Sequence, residues 1–396
     1  LETIVSLRFN ELLEKLSKTG QVAVLIDEYD NPITSNITDI ERTKKIKDIL
    51  KGFYKIIKSC DEYVKFAFLT GVTKFSQVSV FSGLNNLTDI TMDRRYSAIC
   101  GYTEDDIKFS FKNYVTKWSK ENKVVNDKIL SDIKYWYDGF LFTANGIKVY
   151  NPWSVLNYFD KGEFRNYWFE TGTPTFLVDL IKKSDSFYLP DLKDYSLESE
   201  DFSTFDIENL NPIALLFQTG YITIVDYNEK YSEYSLNFPN REVEDSFIKS
   251  LLAGELNSYN SQNLLSKLRK SLQKNDLEVF FESMDTLMSK VDYDLHLKDE
   301  KYWQSLFYMI LTLLGYKISA EFKTVKGRID AVIETKTHIY IFEFKTTQSE
   351  EIALEQIKER EYFKRFKDSD KQIVLVGSRF IVKEKRIVNK YISLNV

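Results

Sequence analysis

The sequence predicts an α/β protein, and three patterns lead to this prediction. An apolar run of strand length, residues 22–26, ends in acidic residues, and a second run, residues 64–69, ends in Thr70. Near the other end, residues 327–345 form two alternating segments that flank a turn, which is typical of a β-hairpin. Helical periodicity dominates residues 103–290. We therefore expect a parallel sheet at the start, a helical middle and a second α/β core.

The first strand leads directly into Asp27-Glu28. An apolar strand that ends in Asp-Glu is typical of a Walker B motif, in which the Asp holds Mg²⁺ and the Glu activates the attacking water at the carboxyl edge of a parallel sheet. Thr70 would be the polar γ-phosphate sensor on the neighbouring strand. Asp27 and Glu28 are thus candidate nucleotide-binding residues, and the alternative is an ordinary acidic strand-to-loop turn.

A phosphate-binding loop does not accompany that motif. The pattern GxxxxGK(S/T) is absent from the 396 residues, and so is the dipeptide Gly-Lys. The backbone N–H groups and lysine of this loop hold the β and γ phosphates, so we do not expect these residues to hydrolyse ATP. We expect a truncated P-loop-type sheet, either in a fragment or in a naturally truncated protein. ATP would be a cofactor only of a full-length protein that carries the loop.

The middle region, residues 103–290, is predicted to be helical with one hairpin. Thr103 is a candidate N-cap, and Pro152 lies at an early helical position. A helix over residues 212–217 precedes two strands that turn at residues 228–230, an arrangement that is winged-helix-like. Wings can bind DNA, but the acidic composition of this region favours a packing role.

The C-terminal hairpin is predicted to place two carboxylates and an amine together. Side chains alternate along a strand, so Glu343 and Lys345 share one face, close to Asp330 on the preceding strand. Mg²⁺ prefers carboxylate oxygens, and a lysine beside the metal can orient a water for attack on a phosphodiester. The alternative is a solvated ion pair of little energetic value. The apolar flanks favour a buried strand instead, where an unpaired carboxylate would be costly.

Two flanking helices are predicted to contribute further polar groups. Glu300 begins an apolar helical run, residues 300–314, from which its carboxylate could reach the hairpin, although the helix dipole alone also favours an acid there. After the hairpin, residues 350–366 are helical in pattern and carry Gln356, and residues 372–376 read as a short strand. For Gln356 the alternative is a polar residue on a helix flank.

This order of elements, with its D…ExK signature, resembles the PD-(D/E)XK nuclease superfamily over roughly residues 291–396. The segments GRIDAVIE, IYIFEFK and ALEQIKER resemble the nuclease module fused to AAA-ATPase-like proteins of bacteria. Residues 25–101 resemble the AAA-ATPase-like part of those proteins. The resemblance implies a restriction-endonuclease-like α/β core over residues 291–396, after an incomplete ATPase-like domain over residues 1–102.

The resemblance also implies roles for individual residues. Asp330, Glu343 and the main-chain carbonyl of Phe344 would be metal ligands, and Lys345 would orient the water. Glu300 would be the acid of the first helix, and Gln356 a weaker contributor from the following helix. The superfamily's usual Pro before the first Asp is replaced by Ile329, a departure that many members tolerate.

Charge is distributed unevenly along the chain. The net charge is −5, yet residues 301–396 hold 18 Lys and Arg against 12 Asp and Glu, a net charge of +6, which leaves −11 on the remainder. A basic rim around an acidic metal site suits a phosphodiesterase, and a solvated Lys-rich surface is the alternative. The expected partner is nucleic acid, in the first place DNA.

Cysteine usage and hydropathy predict a cytoplasmic protein that does not span a membrane. The two cysteines have no metal-binding or disulfide spacing, and no stretch approaches 18 consecutive apolar residues. Together these patterns predict a nuclease that depends on Mg²⁺ or Mn²⁺. Two alternatives are a nucleotide-dependent regulatory ATPase and a nucleic-acid-binding protein, each with a non-catalytic C-terminal fold.

Overall fold

The computed structural model describes most of the chain in two compact units. The described residues are 2–36, 39–72, 86–168, 177, 196–198, 201–202, 211–251, 259–289, 300–314, 316–324, 327–345, 347–383 and 386–396. Those up to Glu244 form one unit, and those from Asp245 onward form the other. The predicted division at residues 102 and 290 stays a prediction. Within the described residues, no helix has the length and apolar character needed to cross a membrane.

Thirteen α-helices are described within these ranges. In chain order they are α1 Glu2–Ser17, α2 Asn31–Thr34, α3 Ile40–Ser59, α4 Glu104–Ser110, α5 Lys112–Asn122, α6 Asn126–Tyr137, α7 Pro152–Lys161, α8 Pro212–Gln218, α9 Arg241–Leu251, α10 Tyr259–Lys274, α11 Leu277–Met288, α12 Glu300–Leu313 and α13 Glu350–Glu359. Two short 3-10 helices add Arg94–Tyr96 and Tyr362–Phe366.

Ten strands are described, and they form three sheets. They are β1 Val22–Ile26, β2 Val64–Leu69, β3 Ser196–Glu198, β4 Thr223–Asn228, β5 Glu233–Asn237, β6 Lys317–Thr324, β7 Gly327–Glu334, β8 His338–Lys345, β9 Gln372–Lys383 and β10 Arg386–Asn395. The strand orders are β1-β2, β3-β5-β4 and β10-β9-β8-β7-β6. The class is α/β, as the sequence predicts.

The first sheet pairs β1 and β2 in parallel, with the connection running through α3. Asp39 caps α3, because its side chain accepts a hydrogen bond from the Arg42 amide at 3.0 Å. The α1 and α3 helices pack together, with Phe9 stacked on Phe53 at a centroid distance of 4.5 Å. Parallel pairing brings the carboxyl ends of both strands to one edge, which places Asp27 beside Thr70.

The middle of the chain contains the predicted caps and hairpin. Thr103 and Asp106 form a reciprocal capping box at the start of α4, and the Asn151 side chain caps α7 ahead of Pro152. Strands β4 and β5 pair antiparallel after α8, as expected from the sequence. Buried Tyr137 lies in the aromatic core of this unit.

The C-terminal sheet is built around β8. This strand pairs antiparallel with β7 and parallel with β9, and its six inner residues are buried. One face packs on α13 through Ile341 and Leu354. The other face packs on α12, where Phe307 and Phe344 lie 4.5 Å apart between ring centroids. A central strand with both faces covered positions its side chains firmly.

Gly377 lets α13 approach the sheet closely. It is the register partner of Glu343 in the parallel β8–β9 pair. A Cβ atom at this position would lie 2.3 Å from the Glu350 carbonyl oxygen and 2.6 Å from the Leu354 amide nitrogen. A side chain there would push the helix away from the face that carries Glu343.

The structure differs from the sequence prediction at two places in this unit. The helix predicted over residues 350–366 ends at Glu359, because Glu361 adopts a left-handed backbone with φ 54° before the 3-10 turn begins. The strand predicted over residues 372–376 continues to Lys383, because it gains an antiparallel partner, β10. Strand β10 was not predicted from the sequence.

Candidate active site

The hairpin places Asp330 and Glu343 side by side. Ala331 is the register partner of Phe342 at the end of the antiparallel ladder, and Asp330 and Glu343 are the next residues along the two strands. The Asp330 charge acts on Glu343, as expected for neighbours. Lys345 follows two residues later and therefore projects from the same face. This face is the one that packs on α13. The sequence-predicted convergence of two acids and one lysine is present in the fold.

Asp330 is held at the end of the hairpin by a main-chain contact. Its Oδ2 atom accepts a hydrogen bond from the Phe344 amide at 2.7 Å. The Asp330 side chain is half-buried. This contact fixes the carboxylate next to the main chain of β8, between Glu343 and Lys345.

Glu343 is almost entirely buried, with 2% of its surface exposed. Its Oε1 atom accepts hydrogen bonds from Lys345 Nζ at 3.2 Å and from Gln356 Nε2 on α13. Its Oε2 atom has no hydrogen-bond donor among the described residues. A buried carboxylate oxygen without a donor is costly, which makes this atom a candidate ligand for a cation.

Electrostatics at the site disfavour two ionised carboxylates in the absence of a cation. Burial and then the Asp330 charge raise the pKa of Glu343 from 4.5 to about 8, and the charges of Lys345 and Arg360 oppose this rise. A divalent ion between the carboxylates would remove both causes, because it compensates the charge and replaces the lost solvation.

The donor chemistry fits a hard divalent ion. Asp330 and Glu343 supply carboxylate oxygens, which Mg²⁺ and Mn²⁺ prefer. The described side chains contain no group of three His, Cys, Asp or Glu residues that could hold a metal. The remaining ligands would therefore come from main-chain carbonyls, water or the substrate, as Mg²⁺ commonly accepts.

Two of the other predicted site residues, Gln356 and Phe344, lie at the acidic pair, and the position of the Glu300 side chain is not described. Gln356 reaches Glu343 from α13. The Phe344 ring packs on the opposite face, against Phe307 and Phe380, while its main chain borders the site. The helix α12 begins at Glu300, but the Glu300 side chain lies outside the described residues.

Arg360 is a neighbour of the site that was not predicted from the sequence as a site residue. It follows the last residue of α13 and donates a hydrogen bond from Nη1 to the Tyr362 hydroxyl at 2.8 Å. Its charge acts on both Glu343 and Asp330. The sequence does contain a signal, since Arg360 lies four residues after Gln356 and thus on the same helix face.

The second predicted site lies at the edge of the β1–β2 sheet. The Asp27 Oδ1 atom accepts hydrogen bonds from the Thr70 hydroxyl and from the Glu28 amide. Glu28 has a positive φ of 51°, and its Oε2 atom accepts a hydrogen bond from Asn31 Nδ2 at 3.1 Å. Asp27 and Glu28 are both exposed. The predicted pair of an acid and a polar residue on neighbouring strands is thus present.

Comparisons with known proteins match segments that contain these residues. The model of the PD-(D/E)XK nuclease superfamily matches residues 298–390, and a family described as a predicted AAA-ATPase matches residues 2–81. The uncharacterized protein in the vnfD 5′ region of Azotobacter chroococcum mcd 1 is 37% identical over 393 residues, which cover 96% of this chain and 74% of that protein. No solved structure shows a significant match.

The matched segments coincide with the two sheets that carry the acidic residues, and the relative is similar along almost the whole chain. The chain belongs to the same family as this relative, and it joins an N-terminal AAA-ATPase-like domain to a C-terminal PD-(D/E)XK nuclease superfamily domain.

Proposed function

We propose that the protein is a metal-dependent phosphodiesterase that cleaves nucleic acid at the β7–β8 hairpin. The observation that carries this proposal is the buried Glu343 carboxylate, which faces Asp330 and has one oxygen without a donor among the described residues. Lys345 lies 3.2 Å from the other oxygen. Two acids and an amine at one point of a sheet are suited to hydrolysis of a phosphodiester.

Each residue has a distinct role in this reaction. Asp330, Glu343 and the Phe344 carbonyl would hold Mg²⁺ or Mn²⁺, which polarises the phosphate and lowers the pKa of water when bound. Lys345 donates one hydrogen bond to Glu343, and its remaining N–H groups can orient the attacking water. Gln356 fixes the orientation of the Glu343 carboxylate. Glu300 stays a candidate additional acid.

The overall reaction adds one water across one phosphorus–oxygen ester bond. The water oxygen bonds to phosphorus, and the leaving sugar oxygen takes up a proton. The products are a hydroxyl end and a phosphate monoester end. Nucleic acid is the expected substrate, supported by the net charge of +6 on residues 301–396, and DNA is proposed in the first place. A cytoplasmic location is also proposed, and it rests on the cysteine usage.

For the N-terminal domain, we propose that Asp27 and Glu28 are Walker B residues of a P-loop-type sheet. Parallel pairing of β1 with β2 and the contact between Asp27 and Thr70 support this proposal. Because these 396 residues contain no phosphate-binding loop, they are not expected to hydrolyse ATP. The winged-helix-like role of α8 with β4 and β5, and the restriction-endonuclease-like core, are proposals of the same kind.

The test of the nuclease proposal is cleavage of labelled DNA and RNA, single- and double-stranded, in Mn²⁺ and in Mg²⁺. Asp330→Asn and Glu343→Gln are each expected to lower the rate by about 100-fold or more, since a bound ion supplies several kcal/mol of transition-state stabilisation. Chelation of the metal by EDTA is expected to abolish cleavage by the wild type.

Glu334→Gln is the matched control, because Glu334 lies on the same strand but its Oε1 atom pairs with Lys371 Nζ at 2.7 Å. It is expected to cut at the wild-type rate. Equal cleavage by Glu343→Gln and the wild type would overturn the assignment. Binding of nucleic acid without cleavage in any divalent ion would instead support a non-catalytic binding module.

A further inference from the structure

Arg360 directly follows the last residue of α13 and lies near Asp330 and Glu343. Gln356 and Arg360 are four residues apart, so both project from the same side of the helix. Gln356 Nε2 contacts Glu343 Oε1, which shows that this side faces the site. The Arg360 backbone is still helical, with φ −81° and ψ −6°, so the spacing rule applies to it. Arg360 is therefore located one helical turn beyond the contact with Glu343.

Tyr362 provides a rigid anchor for the Arg360 guanidinium. The Tyr362 side chain is 2% exposed and belongs to the core cluster between α13 and the sheet. Its hydroxyl accepts a hydrogen bond from Arg360 Nη1 at 2.8 Å, whereas Arg360 as a whole is exposed. A guanidinium has five N–H donors, so this contact orients the group and leaves donors for a ligand.

The other basic residues of this segment have different surroundings. Lys358 Nζ pairs with Glu355 on its own helix at 3.2 Å, and Lys364 pairs with Glu361. Arg360 instead has the Tyr362 hydroxyl as its hydrogen-bond partner, and its charge interacts with those of Asp330 and Glu343. Arg360 is thus an exposed cation that is held next to the acidic pair.

We propose that Arg360 binds the scissile phosphate of the nucleic-acid substrate and that Tyr362 is its positioning residue. This inference rests on the proposed function, since it names the group that attracts an anion to a site with two carboxylates. The planar guanidinium can hold two non-bridging phosphate oxygens at once. It also offsets the negative charge that develops on those oxygens in the transition state.

The experiment compares Arg360→Ala and Arg360→Lys with Lys358→Ala, which removes the same charge about 200° around the same helix. The kcat and KM values are measured in Mn²⁺ on the labelled substrate that the wild type cuts. Arg360→Ala is expected to lose about 100-fold in kcat/KM, as for other preorganised transition-state donors. Arg360→Lys is expected to recover part of this loss, and Lys358→Ala to stay at the wild-type value.

A second measurement separates phosphate contact from structural damage. Binding to a labelled DNA duplex is measured in Ca²⁺ over a range of salt concentrations. Loss of one phosphate contact is expected to lower the slope of log Kobs against log salt by about 0.9 for Arg360→Ala, with no change for Lys358→Ala. Tyr362→Phe keeps the buried ring and is expected to lower kcat with a wild-type melting temperature.

The outcomes distinguish this inference from the proposed function. If the wild type cuts and Arg360→Ala matches it in kcat/KM and in salt slope, Arg360 does not bind the scissile phosphate and the nuclease assignment stands. If Arg360→Ala and Lys358→Ala lose activity equally, the effect is general charge, which also overturns the inference. If the wild type cuts no nucleic acid in any divalent ion, both proposals fail.

Discussion

Glu343 combines burial, a nearby like charge and an oxygen that has no donor among the described residues. Such a group lowers the stability of the fold, because a buried carboxylate needs compensation by hydrogen bonds or by an opposite charge. Lys345 and Gln356 compensate only one of its two oxygens. The uncompensated carboxylate therefore lowers the stability of the metal-free protein, and a bound cation would raise that stability.

This leads to a prediction about pH and stability in the absence of metal. The folded-state pKa of Glu343, about 8, lies above the ordinary 4.5, so its contribution to stability is complete below about pH 4.5 and is lost as the pH rises through about 8. Glu343→Gln cannot ionise. In EDTA it should become more stable than the wild type as the pH rises from about 6 to about 9.

Thermal unfolding of both proteins across this pH range measures the difference directly. Saturating Mn²⁺ should stabilise the wild type and leave Glu343→Gln nearly unchanged, since ligands that bind only the folded state raise its stability. A stability difference that is independent of pH would show that Glu343 is ionised throughout, contrary to the prediction.

At the residue scale, the sequence was sufficient to predict that Asp330 and Glu343 lie together, but it did not predict the hydrogen bond between Arg360 and Tyr362. Strand alternation alone places Glu343 and Lys345 on one face, and the structure agrees. Arg360 depends on Tyr362, whose hydroxyl reaches it only because the chain turns sharply at Glu361. No feature of the sequence indicates that Glu361 adopts a left-handed backbone, so this contact could be found only from the structure.

At the scale of elements, the closeness of α13 to the sheet determines the site geometry. Gly377 lies on the same sheet face as its register partner Glu343 and directly beneath the first turns of the helix. Because Gln356 reaches Glu343 from that helix, a shift of α13 would break the contact. The packing of one helix on one glycine thus connects the stability of the fold with the orientation of Glu343, the proposed metal ligand.

Gly377→Ala tests this connection. The new Cβ would lie 2.3 Å from a main-chain oxygen, which cannot move without the helix. We expect a loss of about 1–3 kcal/mol in the free energy of unfolding, typical of overpacked cores, together with a reduced cleavage rate. Urea unfolding and the Mn²⁺ cleavage assay measure the two effects.

Ser378→Ala is the control on the neighbouring residue, which is buried and whose hydroxyl has no hydrogen-bond partner among the described residues. Removing that hydroxyl is expected to be neutral or slightly stabilising and to leave cleavage unchanged. Full activity and stability in Gly377→Ala would show that α13 can shift without consequence for the site.

The sequence predicted the elements near the site better than those at the edge of the sheet. The β-branched and aromatic run of β8 predicts a strand covered on both faces, which the structure has. Strand β10 lacks a regular alternation of polar and apolar residues, since Ile387-Val388 and Tyr391-Ile392 are adjacent apolar pairs. It adds an edge to the sheet by pairing with β9. Whether such a segment pairs depends on the neighbouring strand, so local pattern alone did not reveal it.

At the scale of the whole molecule, the chain separates a basic nuclease-like region from acidic remaining residues. Residues 301–396 carry a net charge of +6 and the others −11. The electrostatic field therefore favours approach of a polyanion to residues 301–396. The acidic Asp27 and Glu28 lie in the other compact unit, on a sheet edge that has its own hydrogen-bond network.

This separation predicts that the proposed nuclease activity of these 396 residues is independent of nucleotide. Added ATP is expected to change neither the rate of Mn²⁺-dependent cleavage nor the melting temperature, since the sequence has no phosphate-binding loop to hold the β and γ phosphates. Asp27→Asn and Glu28→Gln are expected to cut at the wild-type rate, whereas Asp330→Asn is expected to lose about 100-fold or more. An ATP effect on cleavage that disappears in Asp27→Asn would contradict this prediction, because it would show that the β1–β2 edge binds nucleotide without the loop and is coupled to the hairpin site.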